Sequence, residues 1–453
     1  MKIIVAGCGK IGAAIVESLV EEGHEIVIID TNPAYIEEIT NIYDVMGICG
    51  NCADSDIVRE AGASDSDLYI AVTASDELNM LSCFIAKKLG AKNTVARIRS
   101  PEYNDSSLGF MKTHLDLSMS LNPERLAAHE LFNILKFPSA LKIDTFSNRS
   151  LEMIEVRIKD DSALDGIKLM EIRQKFKAQV LICAVQRGDE VYIPDGNFVL
   201  RAGDRIGITG QHAELQKFFR GAGLFRKQAK NAMILGGSRI AHYLAEMLID
   251  IGVSVKIIDS DKKVCELLGN ALPKAVVICG DGAHQEMLLE EGINNTDAFV
   301  SLTGLDETNI LVSMFAMMHK VPKVIAKVNR DEIAPMAENL GLDCIISTKR
   351  TVSNRVLSYA RALQNSLGSN VETLYKLMED KAEALEFNVR GNTKIVGIPL
   401  KDLHLRKNIL IIGIIRGHNI ITPSGMTEIL DGDKVVIITK DQGLRDLSDI
   451  LER

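Results

Sequence analysis

The sequence predicts an α/β protein made of two doubly wound parallel sheets, each followed by a small α+β domain. Three observations carry this. The stretch "IIVAGCGKIGAAIVESLVEEGHEIVIID" (residues 3–30) recurs as "AMILGGSRIAHYLAEMLIDIGVSVKIID" (residues 232–259), so the chain is internally duplicated. In both copies short, near-continuous apolar runs alternate with amphipathic ones, the pattern of parallel strands covered by helices on both faces. Each copy is then followed by a shorter stretch rich in turn residues, and that stretch is duplicated as well.

In the first copy the strands read at 2–6, 26–29, 45–49, 68–72 and 94–98, with helices between them, for example 11–21 and 76–89. Right-handed crossovers between parallel strands turn this order into a doubly wound sheet. Aligning 5–30 with 234–259 gives eight identities in 26 positions: Gly, Ile, Glu, Leu, Gly, Ile, Ile and Asp. The likeness continues: "ICGNCADSDIVREAGASDSDLYIAVTASDELNM" (48–80) pairs with "ICGDGAHQEMLLEEGINNTDAFVSLTGLDETNI" (278–310), and "TVARIRS" (94–100) with "VIAKVNR" (324–330). Asn122-Pro123-Glu124 opens a helix over 123–137, with an N-cap residue and a proline in the first turn. Its counterpart is 349–363. Leu126, His129, Leu131, Phe132 and Leu135 lie close to one stripe of that helix, which a lone domain would bury or a partner would cover.

The intervening segment has a different pattern. "LEMIEVRI" (151–158) opens it and "GDEVYIPDGNFVLRAGDRIGITG" (188–210) closes it; "GHNIITPSGMTEILDGDKVVIIT" (417–439) repeats the closing part. Pro194, Gly196, Gly203 and Asp204 fall in register with Pro423, Gly425, Gly432 and Asp433. Short strands joined by P-D-G, P-S-G and G-D turns indicate antiparallel pairing. Residues 221–231 read as a polar hinge. The expected domains are 1–138, 139–225, 230–365 and 370–453, in the order A–B–A′–B′.

Composition narrows the function. Of 453 residues, 46% are hydrophobic and 25% charged, an ordinary globular balance; there is no Trp and aromatics are 5%, so the cores are aliphatic. The net charge of −9 argues against a nucleic-acid partner, whose phosphates call for Lys and Arg, and against direct adsorption to an anionic membrane. The longest apolar run, "NILIIGIIRG" (408–417), is far below the ~20 residues that span a bilayer. The chain enters its first strand one residue after Met1, so no signal peptide is expected and the expected location is the cytoplasm. The eight cysteines are then expected to be reduced. Cys49 and Cys52 form a C-x-x-C, either a redox or metal pair or a coincidence; no second C-x-x-C completes a zinc site, and Gly282 stands where the second copy would need its cysteine.

The chemistry-bearing motif is Gly7-Cys8-Gly9-Lys10-Ile11-Gly12, a G-x-G-x-x-G between a strand and a helix, as dinucleotide binding requires. The first glycine makes the tight turn, the second lets a pyrophosphate approach the backbone, and the third lets helix pack on strand. The helix N-terminus then offers free N–H groups to the phosphates. Asp30 ends the second strand, 18 residues after Gly12, where a carboxylate accepts from ribose hydroxyls and disfavours the 2′-phosphate of NADP. This is a Rossmann-like unit. In the second copy, Gly236-Gly237-Ser238-Arg239-Ile240-Ala241 keeps the first glycine but replaces the second with Ser238 and the third with Ala241. Asp259 remains, so binding there is expected to be weakened or altered. Other polar groups at strand C-terminal ends, the ligand edge of such sheets, are Thr31, Asn32, Asn51, Thr73 with Ala74, and Arg97; the second-copy matches are Ser260, Asp281, Thr303 and Lys327. Arg97 reads as a phosphate partner or as a solvated surface arginine. Asp76 and Glu77 read as helix-capping acids.

A dehydrogenase is the rival reading, and a scaffold whose sites are vestigial is a third. The dehydrogenase needs a proton donor beside the nicotinamide and a substrate domain. The nine histidines carry no partner motif, His129 reads as a helix-face residue, and the B segments hold no catalytic cluster.

"GCGKIG" with Asp30, "TASDELNM" (73–80), "VARIRSPEY" (95–103), the two G-D turns and the A–B–A′–B′ order together resemble the regulator-of-potassium-conductance (RCK/KTN) family. The duplicated form is similar to the NAD-binding peripheral subunits of Trk-type potassium uptake. That resemblance covers essentially the whole chain. It implies RCK C-terminal-type folds for the small domains and a cytoplasmic protein held under an integral membrane potassium-translocating subunit. It further implies binding of NAD (NADH/NAD+) or ATP/ADP, a homo-oligomeric ring of four chains paired through 123–137 and 349–363, and gating without catalysis. Carried over, Gly7, Gly9, Gly12, Asp30, Thr31, Thr73 and Arg97 would line the first site, and Gly236, Asp259 and Thr303 the second. Two departures stand out: Asn51, where the family usually has an acid, and Ser238.

Overall fold

The computed structural model describes residues 1–453 except 101, 102, 104, 147–150, 161, 226, 343, 366–370, 379, 380, 390–394, 441–443, 445 and 453. Pro101 and Glu102 of the "VARIRSPEY" stretch, Arg226 of the expected hinge and position 370 of the expected fourth domain therefore lie outside the described residues.

The first sheet comprises β1 (Lys2–Ala6), β2 (Glu25–Asp30), β3 (Met46–Cys49), β4 (Leu68–Ala71), β5 (Thr94–Arg97) and β6 (Met119–Leu121). All pairings are parallel, in the order β3-β2-β1-β4-β5-β6. Its helices are α1 (Lys10–Glu21), α2 (Pro33–Ile42), α3 (Ser55–Glu60), α4 (Asp76–Leu89), α5 (Asp105–His114) and α6 (Pro123–Lys136). Ile3, Ile4, Leu68, Tyr69 and Ile70 are fully buried, as central strands covered on both faces must be. α1 turns Gly12, Ala14, Ile15, Val16 and Leu19 inward, an i, i+3, i+4, i+7 stripe. The order reverses between β1 and β4, which is where a doubly wound sheet opens its ligand crevice. The five expected strands and two expected helices are present with ends shifted by a residue. β6 was not anticipated: three residues are too short to show a period.

The first small domain follows as β7 (Lys142–Phe146), β8 (Leu151–Arg157), α7 (Leu169–Phe176), β9 (Val180–Arg187), β10 (Glu190–Tyr192), β11 (Arg205–Gly210) and α8 (His212–Gly221). The second copy then repeats the first: β12 (Asn231–Leu235), α9 (Arg239–Asp250), β13 (Ser254–Asp259), α10 (Lys262–Ala271), β14 (Val276–Cys279), α11 (Gln285–Glu290), β15 (Ala298–Ser301), α12 (Asp306–Met318), β16 (Lys323–Lys327), α13 (Ala334–Asn339), β17 (Ile345–Ile346) and α14 (Thr348–Asn365). Its sheet has the same order, β14-β13-β12-β15-β16-β17. The chain closes with β18 (Val371–Leu377), β19 (Ala382–Asn388), β20 (Ile409–Arg416), β21 (Asn419–Ile421) and β22 (Lys434–Thr439). Both small sheets are antiparallel and share one topology, β10-β9-β11-β8-β7 and β21-β20-β22-β19-β18. The in-register aspartates of the G-D turns are buried anchors: Asp204 accepts two bonds from Arg187, both 2.8 Å, and Asp433 two from Arg416, both 2.9 Å.

The chain falls into two compact units, Met1–Leu131 with Asn231–Ala360, and Phe132–Lys230 with Arg361–Arg453. Like therefore joins like across the sequence order. In the first unit the Tyr243 hydroxyl donates to Arg99 O (3.3 Å) and accepts from Asn122 Nδ2 (3.3 Å), and Thr351 of α14 donates to Glu130 of α6 (2.8 Å). In the α6 stripe Leu131 and Leu135 are buried, whereas Leu126, His129 and Phe132 are half-buried. In the second unit one core draws on both small domains, joining Phe146, Leu151, Met153 and Cys183 to Leu377, Ala384, Ile412 and Val436.

Candidate functional site

At the end of β1 the chain turns at Gly7 with φ +100°, a left-handed conformation that favours glycine. A Cβ there would fall 2.8 Å from Thr73 N, so the turn lies directly against the end of β4. Gly12 is required by packing too: its Cβ would sit 1.8 Å from Gly7 O. Gly9 differs from both. Its backbone is extended (φ −68°, ψ −174°), and a Cβ would meet nothing within 4 Å. The protein's own packing does not call for glycine here. The open space lies beside the start of α1, whose N-cap brings no side-chain hydrogen bond. The first-turn N–H groups are thus left for solvent or an anionic ligand, and a pyrophosphate fits that cradle.

Asp30 faces the same turn from the end of β2. Its Oδ2 accepts from Cys8 N (2.7 Å) and its Oδ1 from Asn32 N (2.8 Å), which fixes the carboxylate at the crevice mouth. Burial, with the Asp30 charge second, pushes the Cys8 thiol up to about 12, so it stays protonated. Lys10, Thr31, Asn51 and Ala74 are exposed around this mouth, and Ile11 is half-buried. Asn51 holds its own turn, its Oδ1 accepting from Ala53 N (2.9 Å), and Asp281 does the same with Ala283 N (2.9 Å). The two positions therefore shape the same turn, although one carries a charge and the other does not. Asn32 caps α2, accepting from Ala34 N (3.1 Å).

Two expectations are corrected here. Arg97 is not a solvated surface arginine: it is 8% exposed, and its Nη2 donates to the Thr73 carbonyl. Burial lowers the guanidinium's pKa, and neighbouring Arg99 adds to the effect. Its counterpart Lys327 donates instead to Leu302 O (3.4 Å), one residue before Thr303, and its pKa is also lowered by burial. Asp76 is not a capping acid. Ser75 caps α4 through Leu78 N (3.2 Å), while Asp76 is buried and accepts from Arg99 N and Ser100 N, both 2.8 Å. Asp306 repeats this with Asn329 N (3.0 Å) and Arg330 N (2.9 Å). The carboxylates tie the segment after β5 and β16 to the helix start.

Sequence reading missed Asn79 and Asn309, each fully buried. Asn79 accepts from Thr73 N (2.8 Å) and donates to Thr73 O (3.3 Å) and Arg97 O (2.9 Å), joining the ends of β4 and β5 at the crevice. The identity of D-E-x-N in "SDELN" and "LDETN" was the available signal.

The second copy keeps the frame and alters the helix start. Gly236 turns at φ +97°, and Asp259 accepts from Gly237 N (2.5 Å) and Asp261 N (2.8 Å). Ser238 caps α9, its hydroxyl accepting from Ala241 N at 3.4 Å, so one first-turn N–H is already used. Arg239 is exposed at the same end. A cavity of about 320 Å³ opens here, lined by Gly236, Ser238, Asp259, Asp281 and Thr303 among others. A depression of about 490 Å³ lined by Lys2, His24, Glu25, Asp44 and Glu60 lies at the opposite ends of the first sheet's strands, away from the glycine turn.

Cys49 is exposed and Cys52 buried in the core, both as free thiols, so the C-x-x-C brings no pair to one surface. Among the described residues no group of three or more His, Cys, Asp or Glu side chains is placed to hold a metal, and no helix is long and apolar enough to cross a membrane.

Residues 3–109 and 232–348 match the TrkA-N domain, and residues 153–221 and 384–452 match the TrkA-C domain. The Trk system potassium uptake protein TrkA homolog of Archaeoglobus fulgidus is 33% identical over 442 residues, 97% of each chain. The Trk system potassium uptake protein TrkA of Vibrio alginolyticus is 30% identical over 96% of this chain and 95% of its own. The GsuK channel bound to NAD shares the fold, with a TM-score of 0.62 at 17% identity, over 97% of this chain and 76% of that one. Two parallel sheets with their glycine turns alternate with two antiparallel ones, matched end to end by these relatives, and so the chain belongs to the TrkA family.

Proposed function

We propose that the chain is a cytoplasmic, nucleotide-binding regulatory subunit that gates a membrane potassium transporter of Trk type, and that it catalyses no reaction itself. The observation that carries this is the open cradle at Gly9, between a glycine turn, an uncapped helix start and the fixed Asp30 carboxylate. It lies in a chain that Trk potassium uptake proteins match over almost its whole length. The ligand in this reading is NAD or NADH, with ATP or ADP as competitors. Gly7 to Gly12, Asp30, Thr31, Asn51, Thr73, Ala74 and Arg97 line the first site; Gly236, Ser238, Arg239, Asp259, Asp281 and Thr303 line the second. The helix start and glycine turn hold phosphates, and Asp30 accepts from a ribose.

The same reading assigns four domains, 1–138, 139–225, 230–365 and 370–453, and a ring of four chains that docks on an integral membrane potassium-translocating subunit. Nucleotide exchange would tilt the paired Rossmann-like units and so move that partner. Calorimetry of the full chain with NADH and ADP tests the binding, light scattering tests the ring, and potassium uptake on co-expression with a Trk-type membrane subunit tests the output. Absence of nucleotide binding, or a monomer of 49.7 kDa at micromolar concentration with and without nucleotide, would overturn the reading. Sustained NADH oxidation with a panel of carbonyl compounds would favour an oxidoreductase instead.

A further inference from the structure

We propose that Asn79 and Asn309 fix the hydrogen-bond polarity of the two crevices. Each locks a threonine hydroxyl, Thr73 or Thr303, so that it faces the ligand only as an acceptor. The threonine then selects a neutral donor on the nucleotide, a ribose hydroxyl or an amide or amine N–H, and gives nothing to a phosphate oxygen. The proposal rests on the nucleotide-binding reading above.

The argument starts from which atom of the amide is oxygen. The Thr73 backbone N–H points at Oδ1 of Asn79 (2.8 Å), and a backbone N–H can only donate. The other terminal atom lies 3.3 Å from Thr73 O and 2.9 Å from Arg97 O, and carbonyls can only accept. The side chain therefore has one orientation. The Thr73 hydroxyl lies 2.7 Å from that same Oδ1, which carries no hydrogen, so the hydroxyl must donate. Among the described residues its other hydrogen-bond partner is Ser75 O at 3.4 Å, again an acceptor. A hydroxyl has one hydrogen, and here it is used inside the protein, leaving lone pairs toward the crevice.

The second copy repeats every part. Asn309 Oδ1 accepts from Thr303 N (2.9 Å) and from the Thr303 hydroxyl (2.7 Å), and Nδ2 donates to Thr303 O (3.2 Å) and Lys327 O (2.9 Å). There Leu305 N also donates to the hydroxyl at 3.3 Å, which leaves it one lone pair. Both asparagines are 0% exposed, and each uses all four of its hydrogen-bonding positions, so water does not compete for the lock.

The position of the threonines gives this a consequence for recognition. Thr73 abuts the Gly7 turn, and Thr303 lines the cavity of about 320 Å³. The helix start supplies donors on one side of the crevice, and the locked threonine supplies an acceptor on the other. A phosphate at the threonine would meet lone pair against lone pair.

The test uses the full chain, calorimetry with NADH, and competition of NADH by inorganic pyrophosphate at millimolar concentration. The Thr73→Val, Thr303→Val double variant keeps shape and both backbone bonds to the asparagines. NADH affinity should fall about threefold to tenfold, the range of one net hydrogen bond, while pyrophosphate competition stays unchanged. The corresponding serine double variant should restore NADH binding, which a merely structural role for the methyl group would not allow. Undiminished NADH affinity in the valine variant, or an equal loss for pyrophosphate, overturns the proposal. Failure of the wild-type chain to bind NADH, or of pyrophosphate to compete with it, overturns the underlying reading of the crevice, a result visible before any variant is made.

Discussion

Gly9 and Gly12 belong to one motif, but the structure separates their roles, and a matched pair of substitutions reads the difference. For Gly12→Ala the new Cβ would lie 1.8 Å from Gly7 O, about 1.2 Å inside the closest approach that real Cβ atoms show. The oxygen is backbone and the Cβ has no freedom apart from the backbone of α1, so relief requires α1 to move off β1. Overpacking of this kind costs ~3 kcal/mol, and the better helix propensity of alanine returns ~1, leaving a net loss of ~2 kcal/mol. In a unit of this size that is a fall of about 4–8 °C in melting temperature. For Gly9→Val the backbone already sits where any residue can, and the new Cβ meets nothing within 4 Å. The expected stability loss is under ~1 kcal/mol, from valine being a poorer N-cap. Affinity behaves in the opposite way. The valine occupies the cradle and removes at least one charge-assisted bond to phosphate, worth ~1.5–3 kcal/mol, so NADH should bind roughly tenfold to a hundredfold more weakly at the first site. The assays are thermal unfolding without ligand and calorimetry with NADH, in an Asp259→Ala background that silences the second site. A Gly9→Val protein that melts well below wild type, or binds NADH as wild type does, refutes the reasoning.

Three further outcomes are expected. Asp30→Asn keeps an acceptor for Cys8 N but removes the charge, so the preference for NADH over NADPH should narrow by about an order of magnitude, measured by calorimetry. Ser238→Gly frees Ala241 N from the serine cap, so phosphate-bearing ligands should bind the second site more tightly, at a stability cost of only a few tenths of a kcal/mol. Glu155 is fully buried; burial alone would raise its pKa, but the Arg205 charge at 2.7 Å, with Lys142, holds it below the usual carboxylate range. Its folded pKa being depressed, its contribution is complete above the unfolded value of ~4.3 and is lost as pH falls through the folded value. Glu155→Gln should therefore cost ~3–5 kcal/mol at pH 7, with the gap to wild type closing below about pH 4 in denaturant titrations.

The glycine turn, Asp30 and the alternation of strands with helices were legible because each leaves a local mark: a φ that only glycine adopts readily, an acid at a strand end, a period. Arg97 was not, because nothing within a few residues says that its side chain folds back to Thr73 O, 24 positions earlier. Asp76 was misread for a related reason: an acid in a first turn suggests a cap, and only the fold brings the Arg99 and Ser100 amides to it. The small domains raise a different difficulty. Their turn-flanked strands read as antiparallel, a class that commonly keeps one face in solvent, yet Ile154, Glu155 and Val156 of β8 are consecutively buried. The second face is covered by the other small domain, through the core that joins Leu151 and Cys183 to Ala384 and Ile412. A strand buried on both faces loses its alternation, and its buried acid needs Arg205.

The same reasoning explains how duplication can serve regulation here. Ala241 is fully buried at the position that Gly12 takes in the first copy, yet an alanine at Gly12 would collide with Gly7 O. The start of α9 therefore cannot sit against its glycine turn as closely as α1 sits against Gly7. The strand frame, the acidic residue and the asparagine lock are kept in both copies, while the third glycine of the motif and the uncapped helix start are not. On the nucleotide-binding reading proposed above, two sites that share a scaffold but differ at the helix start would hold one nucleotide with different free energies. A ligand shifts a conformational equilibrium only by its difference in affinity between states. Identical, independent sites fill over the same concentration range, so the singly filled, asymmetric state is populated only near half-saturation. Sites that fill at different concentrations populate a half-filled, asymmetric arrangement over a wide range, and the side-chain links between the copies, Thr351 to Glu130 and Tyr243 to Arg99, are the contacts inside the unit that would register it.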